Sequence, residues 1–463
     1  MYPIRFRGTA APALLWLLLP LLLTLAIESS PAMSSPPIPP PGGGIVLEGH
    51  LNTACVPHNG GTVYLQIQLA TGPDERPSHV RRQMNLAVVL DRSGSMADDN
   101  KLEYAKQAIC SLLDQLSGED YLSIIIYDDQ IETLLPLRQV RDRDRIKDLL
   151  RGIYPRGSTN LGGGMVEGFR QIQRNFRPEC VNRVLLLSDG LANRGTTNPS
   201  ELNDISSRYA SNAISLSTIG VGLSYNENLM LGLAEHGGGN YYYVETPRQL
   251  ASIFEHEFSG LTSVIAQHAS IEITPGRGVE IRDVIGCSWR HEGDRWIMNL
   301  GDLYSNDRRE YTLEMNIPES AGTLCAARGV LTYDGGRRKS REYPPRFSVD
   351  VHYSDDAAEL LRGRDWDAQG KADLAVSTRT VEKAMRALDE GRRDDARREL
   401  NQAKAALGGS EAASMSAVAA PMIQEQLRQL ESYSDSVKDE KSDLRRVKKS
   451  VQYQNYRTQR QKK

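Results

Sequence analysis

Apolar runs and amphipathic stretches alternate through the middle of the chain. Asn85-Leu-Ala-Val-Val-Leu90 is continuously apolar after its first residue, the pattern of a strand buried on both faces. A helix near 101–117 follows, with Leu102, Ala105, Ile109, Leu112 and Leu116 on one face. The same alternation predicts strands at 121–127, 131–137 (a short edge strand), 183–188, 214–221 and 240–244, and helices near 143–152, 162–176, 200–211, 226–236 and 247–260. Such a series requires a mainly parallel sheet with helices on both faces, and sites in that architecture lie at the carboxyl ends of strands.

The flanks follow other periods. Thr62-Val-Tyr-Leu-Gln-Ile-Gln-Leu69 alternates apolar and polar positions and predicts a half-buried strand within a β region at 45–83. Residues 262–352 return to β, with strands at Ile271-Glu-Ile-Thr, Val279-Glu-Ile-Arg-Asp-Val, Tyr311-Thr-Leu-Glu-Met-Asn-Ile and Gly329-Val-Leu-Thr-Tyr, and the two β segments can pair as one sandwich. From 353 to 463 the pattern is helical. Val381, Ala384, Met385 and Leu388 form one stripe, Ala396, Leu400, Ala403 and Leu407 a second, with Gly391 between them. This hairpin resembles a single tetratricopeptide unit. The tail from Val437 carries ten basic and three acidic residues, a solvated charged helix or a contact for anionic lipid or a partner.

At 463 residues, with 56 basic and 59 acidic side chains and a net charge of −3, the chain has room for several domains and lacks the basic excess of a nucleic-acid binder. Arg5 and Arg7 precede an apolar core at 11–27, and Ser30-Pro-Ala32 offers a cleavage site. Residues 1–32 therefore read as a cleaved export signal or an uncleaved membrane anchor, followed by a Pro/Gly linker at 33–44. The expected location is periplasmic, cell-envelope or secreted. Five cysteines in an exported chain allow at most two disulfides. Cys287 with Cys325 is the first candidate; Cys110 and Cys180 are a second pair or simply small buried residues. Glu255-His256-Glu257 reads as an exposed helix turn, because consecutive helical residues face different sides.

The candidate chemistry is carried by oxygen. Asp91-Arg-Ser93-Gly-Ser95 places a carboxylate and two hydroxyls at i, i+2 and i+4 just past a strand end, where they can converge on a hard cation. Downstream stand Gly157-Ser-Thr159-Asn-Leu-Gly162-Gly-Gly and the strand Val184-Leu-Leu-Leu-Ser188-Asp189-Gly190. In this order and spacing the three segments resemble the von Willebrand factor type A (VWA) domain, over about residues 84–261. The resemblance implies a Rossmann-like α/β domain, flanked by a β-sandwich-like region and a C-terminal helical region, as in exported bacterial members. It also implies a metal-ion-dependent adhesion site with Asp91, Ser93 and Ser95 on the first loop, Thr159 on the second and Asp189 on the third. In the family the hydroxyls touch the ion while one or both aspartates act through water.

Hydroxyl and carboxylate donors suit Mg²⁺ foremost, then Mn²⁺ or Ca²⁺, and the absence of nearby Cys or His argues against zinc. A cation so weakly neutralised attracts a carboxylate from a partner protein. The expected function is thus metal-dependent protein binding without catalysis. The rivals are a structural scaffold with an incidental metal and a phosphatase-like hydrolase using Asp91. Gly162–Gly164 opens a helix but lacks the Gly-Lys-Ser/Thr of a nucleotide loop.

Overall fold

The computed structural model describes residues 44–74, 81–334, 344–438 and 444–459. The expected signal or anchor and nearly all of the Pro/Gly linker lie outside these residues. Among the described residues no helix is long and apolar enough to cross a membrane.

The α/β unit is built on a six-stranded sheet. Its strands, in spatial order, are Ile131–Gln139, Tyr121–Tyr127, Met84–Asp91, Val181–Ser188, Ser215–Val221 and Gly238–Val244. All pair in parallel except the edge strand Ile131–Gln139. Met84–Asp91 and Val181–Ser188 are buried along their whole length, as strands covered on both faces must be. The chain leaves Met84–Asp91 toward Tyr121–Tyr127 and later returns on its other side as Val181–Ser188. The reversal of strand order therefore falls between the two strands that end at Asp91 and just before Asp189. Glycines bring the helix Leu161–Arg174 down onto this sheet: a Cβ at Gly164 would lie 2.7 Å from the Tyr127 ring, and one at Gly168 2.5 Å from Val89.

The two β segments form one sandwich around the inserted α/β unit. Its first sheet runs Ile45–Leu51, Gly61–Thr71, Arg308–Ile317 and Glu280–Ile285, with Leu65 opposite Leu313 and Ile67 opposite Tyr311. The second has six strands, Ser288–Glu292, Arg295–Tyr304, Val264–Pro275, Thr323–Asp334, Arg346–Tyr353 and Cys55–Val56. Leu65, Ile67, Ile271, Ile273, Met298, Leu313 and Val351 share the core between the sheets. Gly61–Thr71 departs from the half-buried expectation. Gln66 and Gln68, on its polar face, are each only 2% exposed, because the helix Trp366–Asp389 lies over that face, with Lys371 paired to Glu310 at 2.7 Å.

The expected Cys287–Cys325 pairing is corrected: no disulfide joins any of the five cysteines, which leaves Cys110 and Cys180 to the reading without a bridge. The Cys325 thiol instead meets the Ser348 hydroxyl and the Ala327 carbonyl on its own sheet, and buried Cys180 faces Gln83. Glu257 also departs from its assignment to an exposed turn. Glu255 and His256 are exposed, but Glu257 is buried and accepts hydrogen bonds from Ser217, Asn240 and Tyr242. With Arg183 it belongs to a buried network that reaches Asp302 of the β sandwich, 2.7 Å from Arg183.

The helices Trp366–Asp389 and Arg393–Gly408 bury both predicted stripes against one another and against Ala419–Lys438. The basic tail helix Leu444–Gln459 is not simply solvated. Lys448 and Lys449 close on Glu227 at 2.6 and 2.5 Å, and the Tyr456 hydroxyl accepts the Tyr241 amide N–H. Its charge is partly consumed inside the chain.

Candidate metal centre

Three loops at the carboxyl edge of the sheet bring the five predicted residues together. Asp91 closes its strand and is fully buried. Its Oδ1 accepts the Ser93 amide N–H at 2.8 Å, while Oδ2 accepts the Ser188 hydroxyl at 2.8 Å and the Tyr127 hydroxyl at 3.3 Å. Ser93 Oγ lies 3.2 Å from Ser95 Oγ, and Ser95 Oγ donates to Asp189 Oδ1 at 2.8 Å. The second loop brings Thr159 to the same point: a Cβ at Gly190 would stand 3.2 Å from Thr159 Oγ1 and 3.5 Å from Ser95 Oγ. The glycine after Asp189 thus leaves the hydroxyls room to converge.

The loops are stitched by groups outside the predicted set. Asn193 Oδ1 accepts the Thr159 amide N–H, and the Asn193 and Arg194 amides donate to the Thr159 carbonyl. Asp128 accepts from Arg92 Nε at 2.9 Å and Arg156 Nε at 2.8 Å, joining the first and second loops. Burial of Asp128 works the other way, yet the Gln130 amide and the Arg156 and Arg92 guanidiniums hold its carboxyl below the usual range.

Lys101 is a further residue outside the predicted set. Asp99 and Asn100 adopt left-handed conformations (φ 53° and 56°), which these residue types tolerate. The turn brings Lys101, first residue of the helix Lys101–Gln115, back toward the site. There its Nζ donates to Asp189 Oδ2 at 2.7 Å, with only 8% of the side chain exposed. One signal was present in the sequence. A lysine in a first helical turn opposes the helix dipole and is better placed there with an anion beside it.

The donor set fits a hard divalent cation. Among the described residues no three or more His, Cys, Asp or Glu side chains gather, so a divalent site here recruits hydroxyls, as Ser93, Ser95 and Thr159 allow. Asp91, whose two oxygens already take three hydrogen bonds, is suited to hold an ion through water, and Lys101 has one Asp189 oxygen.

Burial pushes the Asp91 carboxyl up to about 6, and the charge of Asp189 adds to this, against hydrogen bonds from Ser93 and Ser188 that pull it down. The folded, metal-free protein therefore holds this proton up to a higher pH than the unfolded chain does. This group's contribution to stability is full below its ordinary 3.8 and is lost as pH rises through about 6. A bound cation reverses the preference. Cation affinity is accordingly expected to fall about tenfold per pH unit below about pH 6, with proton uptake on release. Calorimetry in buffers of different ionisation enthalpy checks this; an affinity that stays flat from about pH 7.5 to pH 5 contradicts it.

Known proteins resemble the α/β unit in sequence and in fold. Residues 85–256 match the family model of the von Willebrand factor type A domain. The uncharacterized protein YfbK of Escherichia coli K12 is 29% identical over 213 residues, 45% of this chain and 37% of YfbK. The uncharacterized protein sll0103 of Synechocystis is 26% identical over 267 residues, 55% of this chain and 62% of its own. The chain thus spans less than two thirds of either relative. A solved structure described as von Willebrand factor type A from Catenulispora acidiphila superposes with a TM-score of 0.66 at 15% identity, covering 84% of this chain and 89% of that one. The fold of the α/β unit is that of a VWA domain.

Proposed function

We propose that this chain is an exported, metal-dependent protein-binding module in which a divalent cation, Mg²⁺ foremost, captures a carboxylate of a partner protein. One observation carries the reading. The Ser93 and Ser95 hydroxyls of the first loop lie 3.2 Å apart, Ser95 reaches the Asp189 carboxylate of the third at 2.8 Å, and Thr159 of the second faces Gly190 beside them. Lys101 strengthens the argument for binding. By spending part of the Asp189 charge, it leaves a cation held by neutral hydroxyls under-neutralised, and an external carboxylate completes the balance. Leu191 is 57% exposed immediately beyond the third loop, beside exposed Arg194, which favours an acidic side chain with an apolar neighbour.

The hydrolase reading is disfavoured by Asp91 itself. It is fully buried, hydrogen-bonded on both oxygens, and the nearby lysine pairs with Asp189 instead. The test of the proposal is capture of peptides that differ only in one Asp or Asn, with Mg²⁺ and with EDTA. Capture of the Asp peptide alone, abolished by EDTA, is expected. Capture that survives chelation would instead make the Lys101–Asp189 pair a structural replacement for the metal, and the module a scaffold.

A further inference from the structure

None of the candidate metal-site residues belongs to the space where the helical region covers the outer face of the first β sheet. Between that sheet and the helices Trp366–Asp389 and Ala419–Lys438 is a cavity of about 550 Å³. This is within the size range of small-molecule sites, which favour such interfaces between structural units. Ile285, Leu374, Ala375, Pro421 and Met422 supply much of its wall. Met422 is 44% exposed, and the flexible thioether of methionine adapts to differently shaped guests.

Two polar groups stand out in this lining. Gln66 is 2% exposed, and its Oε1 accepts the Thr312 hydroxyl at 3.0 Å, while its Nε2 has no partner. Gln426, on the opposite wall and 8% exposed, also has an unpartnered Nε2. Leaving a buried donor unsatisfied costs about 1–3 kcal/mol, so two such donors lining one cavity mark a place where acceptors are wanted. The charges narrow the class of guest. Lys371, the cation of the lining, is spent on Glu310 at 2.7 Å, and Glu425, paired with Arg428, adds a second carboxylate. Nothing in the lining offers an anion a free positive charge.

We propose that this cavity binds an uncharged, mainly apolar small molecule whose carbonyl or hydroxyl oxygens accept hydrogen bonds from Gln66 and Gln426. The site is independent of the metal centre and of the partner it captures.

The test uses the full chain in EDTA, with the neutral dye Nile red as probe and 1-decanoylglycerol and decanoate as competitors, each below its micelle concentration. Expected are saturable one-site dye binding, loss of that binding in Ala375→Phe, which fills the cavity, and displacement by decanoylglycerol at concentrations at least tenfold lower than by decanoate. Gln426→Leu is expected to weaken decanoylglycerol about three- to tenfold, the loss of one neutral hydrogen bond. Met422→Glu, a change at an exposed position, is expected to weaken dye binding too, and serves should Ala375→Phe not fold. Absence of saturable binding, or dye binding unchanged in both cavity variants, would overturn the proposal. Equal displacement by decanoate would overturn the uncharged class of ligand.

Discussion

Asp189→Ala is expected to abolish cation-dependent partner capture, with at least a hundredfold loss of affinity, and also to destabilise the fold. The two effects have different causes. Capture is lost because Asp189 holds the Ser95 hydroxyl through its Oδ1, so its removal opens the cradle. Stability is lost because the Lys101 side chain, only 8% exposed, is left with the Ser95 carbonyl at 3.4 Å in place of a carboxylate. Removing one member of a buried pair costs about 3–5 kcal/mol, more than the pair itself contributes. Adding Lys101→Met to Asp189→Ala is therefore expected to restore most of the stability and none of the capture. Asp91→Ala leaves Lys101 paired and is expected to lose capture with a smaller stability cost. Chemical denaturation beside a capture assay separates these outcomes; capture that persists in Asp91→Ala and in Asp189→Ala would refute the assignment.

Arg183→Ala is the second large effect. Arg183 is fully buried between Asp302 of the β sandwich, at 2.7 Å, and Glu257 of the α/β unit, at 3.7 Å. Burial works against the Glu257 charge, yet the Arg183 guanidinium and hydrogen bonds from Asn240, Ser217 and Tyr242 hold its carboxyl below the usual range. Without Arg183 two buried carboxylates face each other's units uncompensated, a cost of about 3–5 kcal/mol. The loss falls on the joint between two units, so denaturation is expected to split into two transitions in the variant, against one expected for the wild type. An unchanged single transition would show that the joint does not depend on this network.

The α/β unit was legible in the sequence because its signals are local. Strands such as Met84–Asp91 are continuous apolar runs, and the helix stripes recur at 3.6 residues, so the elements emerged within a few residues of their observed ends. Of the candidate-site residues, Asp91, Ser93, Ser95 and Asp189 were legible because they end or follow buried strands, and Thr159 because it lies in the loop that opens the helix Leu161–Arg174. Lys101, Asp128 and Asn193 were not, since their importance arises from left-handed turns and loop-to-loop hydrogen bonds that no periodicity encodes. The strands Ser288–Glu292, Arg295–Tyr304 and Arg346–Tyr353 were missed as well. Ser288–Glu292 is nearly all exposed, and Arg346–Tyr353 is buried at only alternate positions of its second half, so neither offers an apolar run. Gln66 and Gln68 looked solvent-facing because their cover, the helix Trp366–Asp389, is contributed from about three hundred positions further along.

The most direct test of the metal centre is calorimetric titration of Mg²⁺ into the chelator-stripped chain near pH 7.5, beside its Asp91→Ala variant. Saturable binding of one ion per chain, absent from the variant, is the predicted result. Equal binding by both proteins, or no binding by the wild type even in the presence of a carboxylate-bearing peptide, would contradict it.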